Sequence, residues 1–306
     1  MKNQANRKLI SNTVFLYLMT TSIQILNLLT VPYLSRVLGP TEYGQIGLAL
    51  GYMAYVQIIL DFGFTLYATK KISENKTDKC KIEYIITAVT FIKVILAVCL
   101  GVVFLLFLYI NVFDVTLMTI LQVYLLGYLI TALLPDFYYR GMENMKSIAL
   151  RTLIVRVLFT LLIFLCVRKK EDIMFVPVCF LVGSILAFII TAADIRWKKQ
   201  ITFRWPGRKY VMSMVRSAFP YFTSRFASTF YQALNVIIIG KIYGTAPEVG
   251  YYTSSDKCLS LVKMGSSPIA DSLYPYMLNH KNYRLIKRLL GFVMPIITVG
   301  VIIIGI

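Results

Sequence analysis

The chain has 306 residues, 58% of them hydrophobic, and a mean hydropathy of +0.71, which excludes a water-soluble globule and places most of it in a bilayer. Its net charge of +18 sits mainly in alternate loops, with no basic domain, zinc-finger spacing or aromatic-basic ribonucleoprotein motif, so a nucleic-acid partner is excluded. Five scattered cysteines and the single histidine, His280, form neither a disulfide framework nor a metal-ligand spacing, so no metal or cofactor is expected.

The expected fold class is all-α and polytopic. The first apolar run, from Thr13 to Tyr33, is long enough to span and is followed by no small-residue cleavage site, so it reads as a helix and not as a signal peptide. Further spans are expected near 43–68, 84–110, 115–138, 149–167, 173–195, 212–240, 249–277 and 289–306. Prolines fall inside several of them, at Pro32, Pro177, Pro220, Pro268 and Pro295. Each removes a backbone donor and serves either packing geometry or hinge motion.

The opening hairpin, Tyr17 to Phe64, returns 205 residues later. Thr20 then meets Arg225, Gln24 meets Thr229, Asn27 meets Gln232, Thr30 meets Asn235 and Gly39 meets Gly244. After a one-residue insertion, Glu42 meets Glu248 and Gly44 meets Gly250. Six spans lie between the start of the first copy and the start of the second, so both enter from the same side as a parallel repeat. The expected division is a first six-helix bundle over 1–196, a cytoplasmic linker over 197–211 and a second, incomplete bundle over 212–306. A completed repeat would need about 410 residues, so the chain is expected to be a fragment or a truncated product.

With the N-terminus inside, 21 lysines and arginines fall in cytoplasmic loops and 5 on the opposite side, the asymmetry that sets orientation. Six more lie within or close to spans: Lys93, Arg156, Arg216, Arg225, Lys257 and Lys263. Arg216 is near a helix end and can reach the interface. A charge held at depth costs about 2.5–3.5 kcal/mol and therefore faces protein or a wet cavity.

The neighbours of these cations repeat at helical spacing. Arg225, Ser228, Thr229, Gln232 and Asn235 share one stripe, and Asp256, Ser260, Lys263, Ser267 and Asp271 share another. The first span adds Thr20, Gln24, Asn27 and Thr30. Such stripes bind helices to one another or line a polar path. Asp61 can neutralise a nearby lysine, and Asp256 can pair with Lys257 or Lys263. The excess of deep cations leaves a positive interior suited to an anion, with arginine suited to bidentate phosphate contact. Asp61, Asp256 and Asp271 are candidate coupling acids. No hydrolytic motif accompanies them, and the loops are short, so an enzyme is not expected.

The segments PYLSRVLGPTEYGQIGLA, DFGFTLYATKKIS, DFYYRGMENMKSIALRTLIVR and VGYYTSSDKCLSLV resemble those of bacterial polysaccharide-biosynthesis membrane proteins. These are the Wzx-like flippases of lipid-linked oligosaccharides, related to the multidrug and toxin extrusion transporters. The resemblance runs from about residue 10 to the end of the chain. It implies two six-helix bundles around a cationic cleft that opens alternately to either side of the cytoplasmic membrane. The implied substrate is an oligosaccharide on a polyprenyl diphosphate, moved outward for O-antigen, capsule or related glycans. A polysaccharide polymerase and a chain-length regulator are the implied partners.

Lys93, Arg156, Arg225, Lys257 and Lys263 are the expected path cations, with Thr20, Gln24, Asn27, Thr30, Thr229, Gln232 and Asn235 as polar lining. Two alternatives stay open. One is a cation-coupled drug or metabolite exporter of the same fold, which would want an acid midway along the first span, where only Thr, Gln and Asn occur. The other is an inactive remnant or assembly partner.

Overall fold

The computed structural model describes residues 21–27, 29–110, 114–243 and 247–257, and every regular element among them is helical. The chain divides into two compact units, Met1–Gly250 and Tyr251–Ile306. The first unit holds α1 (described over 21–38), α2 (Pro40–Asp61), α3 (Phe64–Glu74), α4 (Lys79–Ile110) and α5 (Val115–Ala132). It continues with α6 (Asp136–Gly141), α7 (Met145–Cys166), α8 (Phe175–Ala193) and α9 (Arg208–Tyr243). A last helical stretch, described over 247–257, runs on into the second unit.

Five stretches are long and apolar enough to cross a membrane: Pro40–Glu74, Lys79–Ile110, Val115–Gly141, Met145–Cys166 and Lys170–Lys198. They coincide with the expected spans from 43–68 through 173–195, and the chain is an all-α polytopic membrane protein. The expected span at 212–240 is helical within α9, and among the described residues Leu234–Tyr243 is a shorter apolar helical stretch. The expected span at 289–306, and 249–277 beyond Lys257, lie outside the described residues.

Local chemistry fixes the helix ends. Pro40 opens α2, where its missing N–H is not needed, and Glu42 sits in the positive first turn. Asp78 accepts the backbone N–H of Lys81 at 3.1 Å and so caps α4, and that hydrogen bond is the main reason its carboxyl titrates below the usual range. With 32 residues α4 is about 48 Å long, more than the ~30 Å hydrocarbon core, so it extends beyond the apolar layer. The outward faces of α4, α7 and α8 carry exposed aliphatics such as Val98, Leu106, Leu165 and Ile189, as a lipid-facing surface requires.

The apolar core gathers α3, the first half of α4, α6 and the start of α9, through Phe64, Ile72, Ile85, Val89, Phe137 and Met214. Residues 201–205 belong to this packing. Glu83, 2% exposed, accepts the backbone N–H of Thr202 at 3.0 Å and faces Arg204 Nε at 3.1 Å. The Arg204 N–H donates to Thr87 Oγ1 at 3.0 Å, and Trp205 meets Phe91 edge-on at 4.7 Å. Positions 83, 87 and 91 share one face of α4, so the segment leading into α9 is strapped along that helix.

A single expected helix over 43–68 is broken in the structure. Phe62 (φ 44) and Gly63 (φ 74) are both left-handed, which ends α2 and starts α3 on a new course. The break presses on α9, where a Cβ added at Gly63 would stand 2.6 Å from Phe222 N and 2.9 Å from Ala218 O. That turn of α9 contains Pro220, which withdraws one donor from its own ladder. Two backbone irregularities therefore face each other, and only a glycine admits the approach.

Further out, the counterparts Gly44 and Gly250 of the sequence repeat meet. A Cβ on Gly44 would lie 2.8 Å from Gly250 N, a small-residue contact of the kind that lets membrane helices approach closely.

Gly63→Ala is expected to destabilise the protein by at least about 2 kcal/mol, from left-handed backbone strain of roughly 1–2 kcal/mol plus the backbone clash. Thermal unfolding in detergent micelles, compared with Gly101→Ala, measures this. A Cβ at Gly101 meets only the end of Leu129, at 3.7 Å, so that variant should unfold like the wild type.

Candidate functional site

The break at Phe62–Gly63 creates a place for charge inside the helical layer. A cavity of 340 Å³ opens there, lined from α2 by Gln57 and Asp61, from α4 by Lys93, from α5 by Thr131, from α6 by Asp136 and Arg140, and from α9 by Arg225 and Thr229. Three cations and two carboxylates thus share one space, and positive charge is in excess.

Asp61 is the organising acid. Its Oδ1 accepts the Thr65 hydroxyl and, at 3.3 Å, the Thr65 backbone N–H in the first turn of α3, a donor that the broken helix leaves without a partner of its own. Its Oδ2 lies 3.5 Å from Arg225 Nη1. Among the described residues Oδ2 accepts no hydrogen bond, so the pair is Coulombic and leaves room for a competing ligand. The Arg225 side chain is 48% exposed and can present its planar fork to the cavity.

Lys93 is the opposite case, only 5% exposed. Its ammonium stands 5.7 Å over the Phe137 ring, a favourable face for a cation, and the charges of Asp61 and Asp136 both act on it.

Asp136 is tied down from behind. Arg151 on α7, 7% exposed, donates from Nη2 to Asp136 Oδ1 at 2.7 Å and from Nη1 to Thr191 Oγ1 at 2.8 Å. This fixes the end of α6 that faces the cavity. Arg151 and Asp136 also border a second hollow of 250 Å³ between α5, α7 and α8.

Of the expected path cations, Lys93 and Arg225 come together with Asp61 and Thr229. Arg156 does not join them. It lines the second hollow, with its guanidinium 5.0 Å over Phe159 and its buried Nε without a hydrogen-bond partner among the described residues. Gln24, Asn27 and Thr30 are not among the lining residues. Asn27 donates to Gln24 at 3.2 Å, and the Thr30 hydroxyl turns back to Leu26 O at 2.6 Å. Asn235 is half-buried and also off the lining.

Asp256 and Lys257, both half-buried, belong to the second unit. Thr20, Lys263 and Asp271 lie outside the described residues, as does the side chain of Gln232. Asp136 and Arg140 line the cavity but are not among the expected site residues; Asp136 falls at the end of the expected span 115–138 and Arg140 just beyond it. Their separation by four residues within DFYYRG, one helical turn, was the available signal. Among the described residues no group of three His, Cys, Asp or Glu side chains could hold a metal.

Apolar spans surrounding a charged cavity define the class, a multi-pass membrane protein with ionisable side chains gathered among its helices. The chain belongs to the family described as polysaccharide biosynthesis protein, whose model matches residues 9–280. It is similar to a protein of Escherichia coli (strain K12) named "Putative O-antigen transporter", with 28% identity over 278 residues, 86% of this chain and 63% of that protein. A protein of the same printed name from Shigella dysenteriae is 22% identical over 280 residues, 91% of this chain and 69% of that protein. The chain therefore spans somewhat under two thirds of the length of the E. coli relative. No solved structure matches it significantly.

Arg151→Ala, which strands Asp136 beside the cavity, is expected to cost about 3 kcal/mol or more, as loss of one partner of a buried ion pair does. Arg151→Lys should recover part of that. Denaturant-induced unfolding of the purified chain in detergent provides the measurement.

Proposed function

We propose that the protein is a transporter and not an enzyme, and that it carries a polyprenyl-diphosphate-linked oligosaccharide across the bacterial cytoplasmic membrane for O-antigen, capsule or a related surface glycan. The observation that carries this reading is the convergence of Lys93, Arg140 and Arg225 on one cavity among the apolar helices. Such a charge excess stabilises a diphosphate that would otherwise be stranded in hydrocarbon. Gln57, Thr131 and Thr229 supply neutral hydrogen-bonding groups for a sugar. The printed names of the two relatives, both O-antigen transporters, favour a glycan cargo.

In this reading Arg225 exchanges its long contact with Asp61 for the phosphate, and Asp61 holds the arginine in place when the cavity is empty. Residues 1–196 are the first bundle and 212–306 part of a second, around a cleft that opens to either face in turn, with the N-terminus in the cytoplasm. A polysaccharide polymerase and a chain-length regulator would receive the product on the far side.

The test is restoration of surface glycan by the chain in a bacterium deleted for its own O-antigen transporter. Arg225→Ala and Lys93→Ala should each lower surface glycan about tenfold or more at equal membrane abundance, since a hydrogen bond to a charged group contributes about 1.5–3 kcal/mol. Arg225→Lys should keep part of the activity. Wild-type glycan in Arg225→Ala would show that the cavity is not the path.

A further inference from the structure

A second, apolar opening lies between α4 and α9. It measures 410 Å³ and is lined by Phe62, Ile92, Ile95, Leu96, Met212 and Val215, with Trp205 and Arg208 also at its wall. Its relation to the charged cavity is what gives it meaning. Asp61 and Gly63 line the cavity, whereas Phe62 between them lines the fissure. Lys93 lines the cavity, whereas its neighbour Ile92 lines the fissure. The two spaces are back to back, and the Phe62 turn and one turn of α4 form the wall between them.

That wall has an unusual centre. Phe62 is a bulky residue in the left-handed region (φ 44), a conformation that costs energy and persists only where packing enforces it. The enforcing contacts come from α9, where Phe222 stacks on the Phe62 ring at 5.0 Å and Phe219 lies 6.3 Å away. The ring is thus held as a partition between a polar and an apolar compartment. Its support belongs to the turn of α9 that contains Pro220.

We propose that the fissure is the lateral seat of the cargo's polyprenyl chain, whose diphosphate head occupies the charged cavity, and that Phe62 is the positioning residue that separates the two. This rests on the reading of the cavity given above. Three features favour the carried lipid over any other occupant. The fissure is lined mainly by apolar side chains, and among the described residues its one charged lining residue is Arg208, which suits an amphiphile with an anionic end. It adjoins the cations of the cavity across the Phe62 turn and one turn of α4. Its outer wall is also pre-built, because the strap from Glu83 and Thr87 to residues 202–204 sets Trp205 against Phe91. A hydrocarbon chain entering a fissure that is already formed loses little free energy to reorganisation of the protein.

The experiment uses the full chain in lipid nanodiscs with two probes, inorganic diphosphate and a polyprenyl diphosphate bearing a diazirine on its second isoprene unit. Photolabelled peptides are mapped by mass spectrometry. Labels are expected on 91–96 and 211–215, and excess inorganic diphosphate should reduce them because head and tail bind as one ligand. Ile95→Trp and Val215→Trp, which fill the fissure, should cut that labelling about tenfold and leave inorganic diphosphate affinity within about twofold. Phe62→Gly, which suits the backbone and removes the partition, should spread labels from the fissure to cavity residues around Gln57 and Thr131.

Labels confined to other helix faces would overturn the proposal. So would labelling of the fissure that phosphatidylglycerol displaces and inorganic diphosphate does not, since the site would then hold a resident phospholipid. If Lys93→Ala and Arg225→Ala leave diphosphate binding unchanged while tail labels still map to the fissure, the reading of the cavity fails and the fissure assignment stands.

Discussion

An ionised carboxylate among apolar helices must be compensated, and at Asp61 that requirement shapes everything near it. The acid comes at the last residue of α2, where the backbone turns left-handed and frees donors at the start of α3. One oxygen takes those donors through Thr65; the other looks toward Arg225 from a helix more than 140 residues further along the chain. Lys93 joins from α4, and the α6 residues Asp136 and Arg140 complete the ring. A hydrophobic substitute at 61 would leave the three cavity cations with Asp136 as the one remaining carboxylate of the lining, and Arg151 already holds that acid from behind, a less favourable arrangement.

The cost of this polar centre is offset by the layer around it. On one side is the aromatic and aliphatic core of α3, α4, α6 and α9. On another, Arg151 anchors Asp136 and also reaches Thr191 on α8, so that α6, α7 and α8 are connected through a single guanidinium. Glu83 does the same for the segment before α9. Each is a charged group nearly removed from water and fully engaged, and each joins elements that are distant in sequence.

Much of this was legible in the sequence, and the parts that were not have identifiable causes. Apolar runs located five membrane-crossing stretches, because length and hydropathy suffice for that. Charge at depth singled out Lys93 and Arg225, because a cation in hydrocarbon needs a reason to be there. The repeat between residues 42–44 and 248–250 anticipated that Gly44 and Gly250 matter as a pair, although not that they touch. What the pattern could not carry was rotation about each helix axis. Arg156 lies at a suitable depth yet faces a neighbouring hollow, and the described polar residues of the α1 stripe are off the cavity lining. The α6 turn was hidden for another reason. Asp136 and Arg140 follow Pro135 where the expected span 115–138 runs out, and the packing of Phe137 and Tyr139 is what turns this short helix inward.

The meeting of the Phe62–Gly63 break with the Pro220 turn has a mechanical consequence. A regular helix resists bending along its whole length, but α2–α3 and α9 each have one compliant point, and both points lie at the same level in contact. Flexion of either rod would be concentrated there and transmitted directly to the other. The charges on Asp61 and Arg225 sit within five residues of this common elbow, so a small angular change there swings the far ends of the rods widely while the two charges move little and stay within reach of each other.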